Sequence, residues 1–222
     1  MVTARQLPGG DDTIVALATA AGRGAIAVIR LSGARAIDIA RALGASGLQP
    51  RRATRVALRQ PNGEPLDDAL ITWFAAPRSY TGDEVVEIAT HGGHVVPALV
   101  LAACVAAGAR PATPGEFTRR AVLNGRMDLV QAEAVADLID ARTTAMHRQA
   151  LSQLDGGLSR RLLALRDDVI HLEALIAYDI DFPEEDDGPI APARIKKAAE
   201  SLRDALRALM HTAPQAAVLR DG

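Results

Sequence analysis

Residues 110–129 read RPATPGEFTRRAVLNGRMDL, and within them the chain changes from a mixed pattern to a helical one. Thr113 is a candidate helix N-cap, Pro114 stands at the first helical position, and Glu116 falls at the third. In a capping box the threonine oxygen accepts the third amide of the helix, while the glutamate reaches back to the cap amide. The segment therefore predicts a helix that begins after Thr113.

The same segment predicts where this helix ends and where the next one begins. Asn124-Gly125 indicates a stop, because both residues tolerate a positive φ. Asp128, with Gln131 three residues later, resembles a second cap. Arg126 is therefore expected in a short linker between two helix ends, with its backbone constrained from both sides.

Before this segment the pattern is mainly that of β-strands. Apolar runs of strand length alternate with turn residues, and Pro61-Asn62-Gly63 between two of the runs indicates a hairpin. The predicted strands are 13–18, 25–31, 54–58, 69–74 and 84–89, and the predicted helices run from residue 32 or 33 to about 43 and over 95–107.

After Asp128 the chain is helical almost to its end. Apolar residues recur at alternating spacings of four and three, which is typical of seams between packed antiparallel helices. One seam comprises Leu158, Leu162, Leu165, Val169, Leu172 and Ile176, and the other Ile195, Ala199, Leu202, Leu206 and Leu209. We therefore predict an α+β domain, with a mixed sheet and helices, followed by an all-α helical-bundle segment. The predicted limits are 1–11 for a disordered tail, 12–125 for the α+β domain and 126–222 for the helical domain.

The composition is that of an ordinary folded protein built on aliphatic side chains. Of 222 residues, 49% are hydrophobic, 23% are charged and only 3% are aromatic, so aliphatic residues and alanine must form the core. The net charge of −2 argues against a cationic nucleic-acid surface over the whole chain. Cys104, the single cysteine, stands in an apolar run and is expected to be a small buried hydrophobe.

These features predict a cytoplasmic location. A lone cysteine cannot form an internal disulfide, which suits a reducing compartment. No segment approaches the roughly 18 continuous apolar residues of a membrane span. Residues 1–10 lack the apolar region of a signal peptide.

Three groups resemble ligand sites but have simpler explanations. Gly22-Arg23-Gly24 leads into a strand rather than a helix, and therefore indicates a turn instead of a phosphate cradle. His91 and His94 are three residues apart, yet no cysteine or third histidine lies near them in the sequence, so a turn is favoured over a zinc site. The carboxylate-rich run 179–187 could bind a cation, although such runs are more often solvated loops. We assign no catalytic or metal-binding residue.

Three charged residues are better candidates for ligand binding. Glu87 stands near the end of the predicted strand 84–89, within the stretch SYTGDEVVEIATHGG at 79–93. A carboxylate there is either at the surface or paired with donors, such as the planar edge of a heterocycle. Arg30 ends another apolar strand, where it either reaches solvent or closes a site. Arg126 is a third charge, and a guanidinium matches both oxygens of a ligand carboxylate.

Several short segments occur together in one order along the chain. They stand at residues 12–16, 22–25, 29–33, 80–82, 87, 91–93, 110–111, 114–117, 123–126, 128–129, 131–134, 137–139 and 181–183. No single segment is decisive, but their joint order resembles the family of tRNA-modification GTPases called MnmE or TrmE. The similarity runs from about Asp11 to Gly222.

This resemblance implies a folate-binding N-terminal domain that is similar to folate-dependent aminomethyltransferases and that forms a homodimer. The implied cofactor is 5-formyl-tetrahydrofolate, a one-carbon donor, with Arg30, Glu87 and Arg126 as its contacts. Glu87 would accept hydrogen bonds from the pterin amino edge, and the arginines would meet polar or anionic parts of the ligand. The implied partners are the FAD-dependent enzyme MnmG, also called GidA, and tRNA, whose wobble uridine is modified at C5.

The chain also departs from the family pattern. The family's helical domain is interrupted by a GTP-binding domain, and a cysteine near the family's C-terminus takes part in modification. This sequence contains no G-x-x-x-x-G-K-[ST] loop, and Cys104 matches no family motif. A truncated fragment without GTP hydrolysis is therefore expected, with GTP, magnesium and potassium belonging to the GTPase domain. Two alternatives stay open: a free-standing folate-dependent one-carbon transferase, and a non-enzymatic helical assembly module.

Overall fold

The structure, a computed structural model, describes residues 12–60, 62–181 and 190–221, the last ten of these by their backbone alone. The chain divides into two compact units, Met1–Met127 and Asp128–Gly222. The disordered tail predicted for residues 1–11 lies outside the described residues, as does most of the carboxylate-rich run 179–187.

The first unit contains strands and helices, and the second contains helices alone within the described ranges. In the first unit the elements are β1 (Ile14–Leu17), β2 (Ile26–Ser32), α1 (Ala36–Ala42), β3 (Thr54–Arg59), β4 (Pro65–Phe74), β5 (Val85–His91), α2 (Val95–Ala106), β6 (Arg110–Pro111) and α3 (Glu116–Leu123). The second unit contains α4 (Leu129–Asp140), α5 (Thr144–Leu154), α6 (Gly157–Asp181) and α7 (Pro192–Asp221). The predicted fold class, an α+β domain followed by a helical segment, is confirmed.

One mixed sheet organises the first unit, with the strand order β3-β4-β5-β2-β1-β6. Its neighbouring strands are antiparallel except β1 and β6, which are parallel. The predicted hairpin is confirmed, because β3 pairs antiparallel with β4. The two-residue strand β6 was not predicted, since two residues are too few to show any hydrophobic period.

The two faces of this sheet differ. Ile29, Leu31, Ile71 and Ile88 are fully buried on one face, in the same core as side chains of α1 and α2. Successive strand residues point to opposite faces, so the residues between them lie on the other side. We call that side the open face, defined by Ile26, Val28, Arg30, Leu70, Thr72, Glu87 and Ala89.

Cys104 lies in the core of the first unit, as predicted. Its side chain is fully buried in α2, packed with residues such as Val100 and Ala103. Burial raises the pKa of its thiol to about 12, because the charged thiolate is disfavoured away from water. Cys104 therefore behaves as a small apolar side chain and supplies no nucleophile.

Helix α3 begins later than the sequence predicted. Gly115, at φ 74°, is its N-cap, so the prediction of Thr113 as the cap is wrong. Only the reverse half of the predicted capping box forms: the Glu116 carboxylate accepts from the Thr113 amide at 2.8 Å. The Thr113 hydroxyl donates to that carboxylate at 3.1 Å, so Thr113 serves Glu116 as a donor and not as a helix cap. The predicted stop is confirmed, with Asn124 as C-cap and Gly125 at φ 67°.

The second cap is confirmed in the helical unit. Asp128 accepts from the Gln131 amide at 2.9 Å, and the Gln131 side chain accepts from the Asp128 amide at 3.0 Å. These reciprocal bonds satisfy two helix-end donors and fix the start of α4. Thr143 caps α5 by a single bond, accepting from the Met146 amide at 3.2 Å.

The predicted seam on α6 is only partly correct. Leu165 is buried as expected, but Val169 and Ile176 are 46% and 42% exposed, and Leu175, outside the seam, is buried. The spacing of four and three therefore did not identify all of the buried positions of α6. No helix in the described ranges is both long enough and apolar enough to cross a membrane.

Candidate functional site

Arg30 and Glu87 meet on the open face of the sheet. They are direct cross-strand partners in β2 and β5, and the Arg30 Nε and Nη2 atoms donate to Glu87 Oε1 at 2.9 and 2.7 Å. Their side chains are 26% and 29% exposed, so both are partly buried. Within the described residues, Glu87 Oε2 and Arg30 Nη1 have no hydrogen-bond partner. The pair therefore presents an acceptor beside a donor.

Two aromatic rings stand against the Arg30 guanidinium. Its Cζ lies 5.2 Å from the centroid of the Tyr80 ring and 5.7 Å from that of Phe117. Both distances fall in the range of cation–π attraction. The Tyr80 hydroxyl shares a 2.9 Å hydrogen bond with the hydroxyl of Thr118, which follows Phe117 in α3. We call Tyr80, Phe117 and Thr118 the aromatic bracket.

The loop that carries Tyr80 is fixed on both sides of the ring. The buried hydroxyl of Thr81 pairs with that of Ser32 at 2.7 Å, joining the loop to the end of β2. Asn124, the C-cap of α3, donates to the Thr81 carbonyl at 2.8 Å. The Gly82 amide donates to the Ser79 hydroxyl at 3.0 Å and closes the turn. The loop is thus anchored to both elements that flank the site.

Arg126 lies against the same loop. Its Nε donates to the Ser79 carbonyl at 3.2 Å, while its own amide donates to the Ala121 carbonyl at 2.8 Å. Gly82 has φ +87°, and a Cβ there would come within 3.2 Å of Arg126 Cγ, so the glycine permits this close approach. Arg126 is exposed, and its two Nη groups have no partner among the residues described.

A cluster of charges ties α3 to the sheet beside this site. Glu116, only 2% exposed, accepts from Arg110 Nη2 at 2.7 Å and from Arg120 Nη2 at 3.3 Å. Asp12 binds the same two arginines. Hydrogen bonds from Arg110, above all, lower the pKa of Glu116 to about 2 against burial, which acts in the opposite direction. Burial also works to raise the pKa of Asp12, but Arg110 and Arg120 outweigh it and the pKa is lowered.

The other candidate sites have structural explanations. His91 Nδ1 lies 2.7 Å from Asp67 Oδ1, and Asp67 also accepts from the His91 amide at 2.7 Å. Gly22-Arg23-Gly24 forms the loop between β1 and β2, and it packs against Gly92, where a Cβ would collide with the Gly24 carbonyl. No group of three or more His, Cys, Asp and Glu side chains able to hold a metal occurs in the described part of the chain.

The structure thus brings Arg30 and Glu87 into contact, although 57 positions separate them in sequence. It places Arg126, in the linker between α3 and α4, against the loop that carries Tyr80, without a direct bond to Arg30 or Glu87. Sequence reasoning missed the aromatic bracket and the charge cluster. The sequence did contain one signal for the bracket. Aromatic residues form only 3% of the chain, yet Tyr80 lies in the stretch 79–93 and Phe117 in the stretch 110–129.

Comparisons with known proteins match both units of the chain. The family model described as the N-terminus of the GTP-binding protein TrmE matches residues 13–126, and the model of the MnmE helical domain matches residues 129–222. A tRNA modification GTPase MnmE from Azoarcus sp. strain BH72 is 46% identical over 99% of this chain. Proteins of the same name from Akkermansia muciniphila and Neisseria meningitidis serogroup B are 47% and 45% identical over 96% and 95% of it.

Fold and matches together define the class, that of the N-terminal and helical domains of a GTP-binding tRNA-modification protein. The chain belongs to the MnmE/TrmE family of tRNA modification GTPases. It covers 48% of the Azoarcus and Akkermansia relatives and 47% of the Neisseria relative, and so spans about half the length of these curated proteins.

Proposed function

We propose that residues 12–125 form a 5-formyl-tetrahydrofolate-binding and dimerisation domain, with Arg30, Glu87 and Arg126 as the folate contacts. Residues 126–222 then form the first half of the helical domain, and Arg126 is its first residue. The observation that carries this proposal is the Arg30–Glu87 pair on the open face. It leaves one carboxylate oxygen and one guanidinium nitrogen without partners within the described residues.

The chemistry of this pair fits a pterin. The heterocycle carries ring and amino N–H donors next to a carbonyl oxygen, so one edge both donates and accepts. Glu87 Oε2 is an ionised acceptor for the donors, and Arg30 Nη1 is a donor for the carbonyl. Charge-assisted hydrogen bonds of this kind are roughly twice as strong as neutral ones. When bound, the folate supplies a one-carbon unit.

Arg126 fits the opposite, anionic end of a folate. Its Nε is engaged by the Ser79 carbonyl, which holds the side chain along the loop. Its two Nη groups face no partner among the residues that the structure describes, so they are available for the carboxylates of the glutamate moiety. A guanidinium offers a planar fork that matches both oxygens of such a group.

The open face also supports dimerisation of the first domain. Ile26 and Leu70 on this face are 66% and 51% exposed. Exposed aliphatic side chains on an incompletely covered face of a sheet favour association with another surface. We propose a second copy of the same domain as that surface. A strictly monomeric species by light scattering at micromolar concentration would contradict the dimer.

We further propose that the chain acts as part of a cytoplasmic tRNA-modifying GTPase. With an FAD-dependent partner of the MnmG type, that enzyme modifies C5 of the wobble uridine in tRNA. The support is the family relationship and the names of the relatives. GTP, magnesium and potassium are assigned to a GTPase domain. The sequence holds no G-x-x-x-x-G-K-[ST] loop, so we expect this chain alone not to hydrolyse GTP.

Titration calorimetry with 5-formyl-tetrahydrofolate tests the folate site. We expect saturable binding by the wild-type chain and a loss of about tenfold or more in affinity for Glu87→Gln, because a hydrogen bond to a charged group contributes roughly 1.5–3 kcal/mol. Arg30→Ala should weaken binding to a similar degree. Arg126→Ala should weaken it less, since its contact is more exposed to water.

The matched control is Asp68→Asn. Asp68 pairs with Arg55 across β3 and β4, so this variant breaks another cross-strand ion pair of the same sheet, but an exposed one. We expect its folate affinity to equal that of the wild type. Unchanged affinity in Glu87→Gln, Arg30→Ala and Arg126→Ala would refute the site. No binding by the wild type would instead favour the helical assembly module.

A further inference from the structure

We propose that the aromatic bracket sets the orientation of Arg30 for ligand binding, so that Tyr80, Phe117 and Thr118 are positioning residues of the folate site. This inference rests on the proposed function and deepens it. None of the three residues belongs to the contacts assigned above. Each acts on the ligand through Arg30.

The ion pair with Glu87 does not by itself fix the guanidinium. Both donated hydrogen bonds end on one oxygen atom, Oε1, so the guanidinium plane can still rotate about that oxygen. The pair is also about a quarter exposed, and ion pairs with such access to water are weak constraints. Something else must hold Nη1 in the direction of a ligand.

The two rings supply that constraint. Tyr80 and Phe117 come from different parts of the chain and both contact the Arg30 guanidinium, at 5.2 and 5.7 Å. An arginine attracted to two ring faces has fewer orientations available than one attracted to a carboxylate alone. The two rings thus restrict the orientation of the guanidinium in addition to its hydrogen bonds with Glu87.

The hydrogen bond between the Tyr80 and Thr118 hydroxyls joins the two ring-bearing elements. It joins the loop at 79–83 to α3 at 2.9 Å, and Asn124 adds a second bond between the same elements. Movement of either element would displace a ring from the guanidinium. The Tyr80 hydroxyl is therefore assigned a role at the site, although it is directed at Thr118 and not at the ligand.

Calorimetry with 5-formyl-tetrahydrofolate on four variants tests this assignment. Tyr80→Leu removes a ring and should weaken binding about tenfold, within the range of a partly desolvated cation–π contact. Tyr80→Phe and Thr118→Val keep the ring but lose the hydrogen bond, and each should weaken binding about threefold. The control is Phe74→Leu, which removes the ring 5.8 Å from Arg51 and should leave the affinity unchanged.

A second measurement separates positioning from general loss of structure. In the ligand-free wild type, the Arg30 Hε proton should show a ring-current shift by NMR. That shift should become smaller in Tyr80→Leu, where only the Phe117 ring remains, and should be unchanged in Phe74→Leu. Loss of affinity with an unchanged Arg30 signal would overturn the inference. If Tyr80→Leu does not fold, Thr118→Val, which preserves shape, decides by the same two measurements.

The two proposals fail in different ways. Wild-type binding with unaltered affinity in Tyr80→Leu and Thr118→Val overturns the positioning role and leaves the folate site standing. Absence of binding by the wild type overturns the folate site, and the positioning role with it.

Discussion

The two units of this chain are stabilised differently. In the α+β unit, Glu116 and Arg120 are 2% and 8% exposed, yet both are held in a network of opposite charges beside a closed aliphatic core. In the helical unit, Val169 and Ile176 are nearly half exposed, and ion pairs such as Arg203–Asp204 lie on the surface. The first unit buries the Glu116–Arg120 ion pair, whereas Arg166–Asp167 and Arg203–Asp204 of the second lie in water.

This difference indicates that the side chains of the α+β unit keep one internal arrangement, whereas the helical unit has residues available to pack against another surface. A buried charge network tolerates little rearrangement, because any broken pair leaves an unpaired charge away from water. It therefore suits a domain that holds several side chains around a ligand. Exposed aliphatic residues on a helix can pack against further surfaces without cost to the helix itself.

The largest expected effect comes from Glu116→Gln, which would sharpen the comparison. The substitution leaves Arg110 and Arg120 without their shared buried carboxylate, and we expect a loss of about 3–5 kcal/mol in the free energy of unfolding of the α+β unit. Trp73, the single tryptophan, lies in β4, so its fluorescence during denaturant unfolding reports on that unit.

Asp204→Asn serves as the matched control in the helical unit. It breaks the Arg203–Asp204 pair, in which Asp204 is 62% exposed, and should leave the helical unfolding transition in far-UV circular dichroism unchanged. Equal effects of Glu116→Gln and Asp204→Asn would break the distinction between buried and surface charge.

Acid should reveal the same distinction with a slightly smaller effect. The pKa of Glu116 is lowered from 4.5 to about 2, so its contribution to stability is complete above pH 4.5 and is lost as the pH falls towards 2. This shift corresponds to a contribution on the order of 3 kcal/mol. The unfolding free energy reported by Trp73 should therefore fall across that window.

Glu116→Gln should flatten this acid dependence, leaving the smaller part due to groups such as Asp12, whose pKa is also lowered. The check is a series of denaturant titrations between pH 2 and pH 7 on both proteins. Parallel curves for the variant and the wild type would show that Glu116 is not the acid-sensitive group.

The smallest expected effect on stability belongs to the exposed side of α6. Replacing Val169 and Ile176 together by glutamine should lower the unfolding free energy of the helical unit by only about 1 kcal/mol, because nearly half of each residue is already in water. The same change should lower concentration-dependent association beyond the dimer in sedimentation velocity. A large loss of helicity instead would mean that this side is part of the packed interior.

Much of the fold could be predicted from local patterns. Apolar runs identified the longer strands, and Asp128 with Gln131 identified the start of α4, because capping depends on residues close in sequence. The predicted start of α3 was wrong because the residues that act on Glu116 are not all close to it in sequence. Glu116 is bound by Arg110 and Arg120 as well as by Thr113, and this ionic environment, invisible in the segment itself, changes what Thr113 does.

The site was less accessible to prediction. Arg30 and Glu87 are partners only because β2 and β5 are neighbours in one register, and neither the strand order nor the register follows from the hydrophobic pattern of either strand. Their positions in apolar strands made Arg30 and Glu87 candidates, and the family resemblance assigned them to one ligand, but neither gave the contact between the two side chains. The roles proposed for Tyr80 and Thr118 depend on the contact between a loop and α3, which lie 38 positions apart in the sequence.

The combined contacts of Glu87, Tyr80 and Phe117 with Arg30 have a consequence for the thermodynamics of ligand binding. A free arginine side chain loses up to about 2 kcal/mol of rotamer entropy when it is immobilised. In this protein the Arg30 side chain loses that entropy when the chain folds. A ligand that binds Glu87 Oε2 and Arg30 Nη1 therefore meets a side chain that is already ordered. Affinity at this face should then depend little on reordering of the protein, and a heat capacity change on binding should reflect buried area and not local ordering.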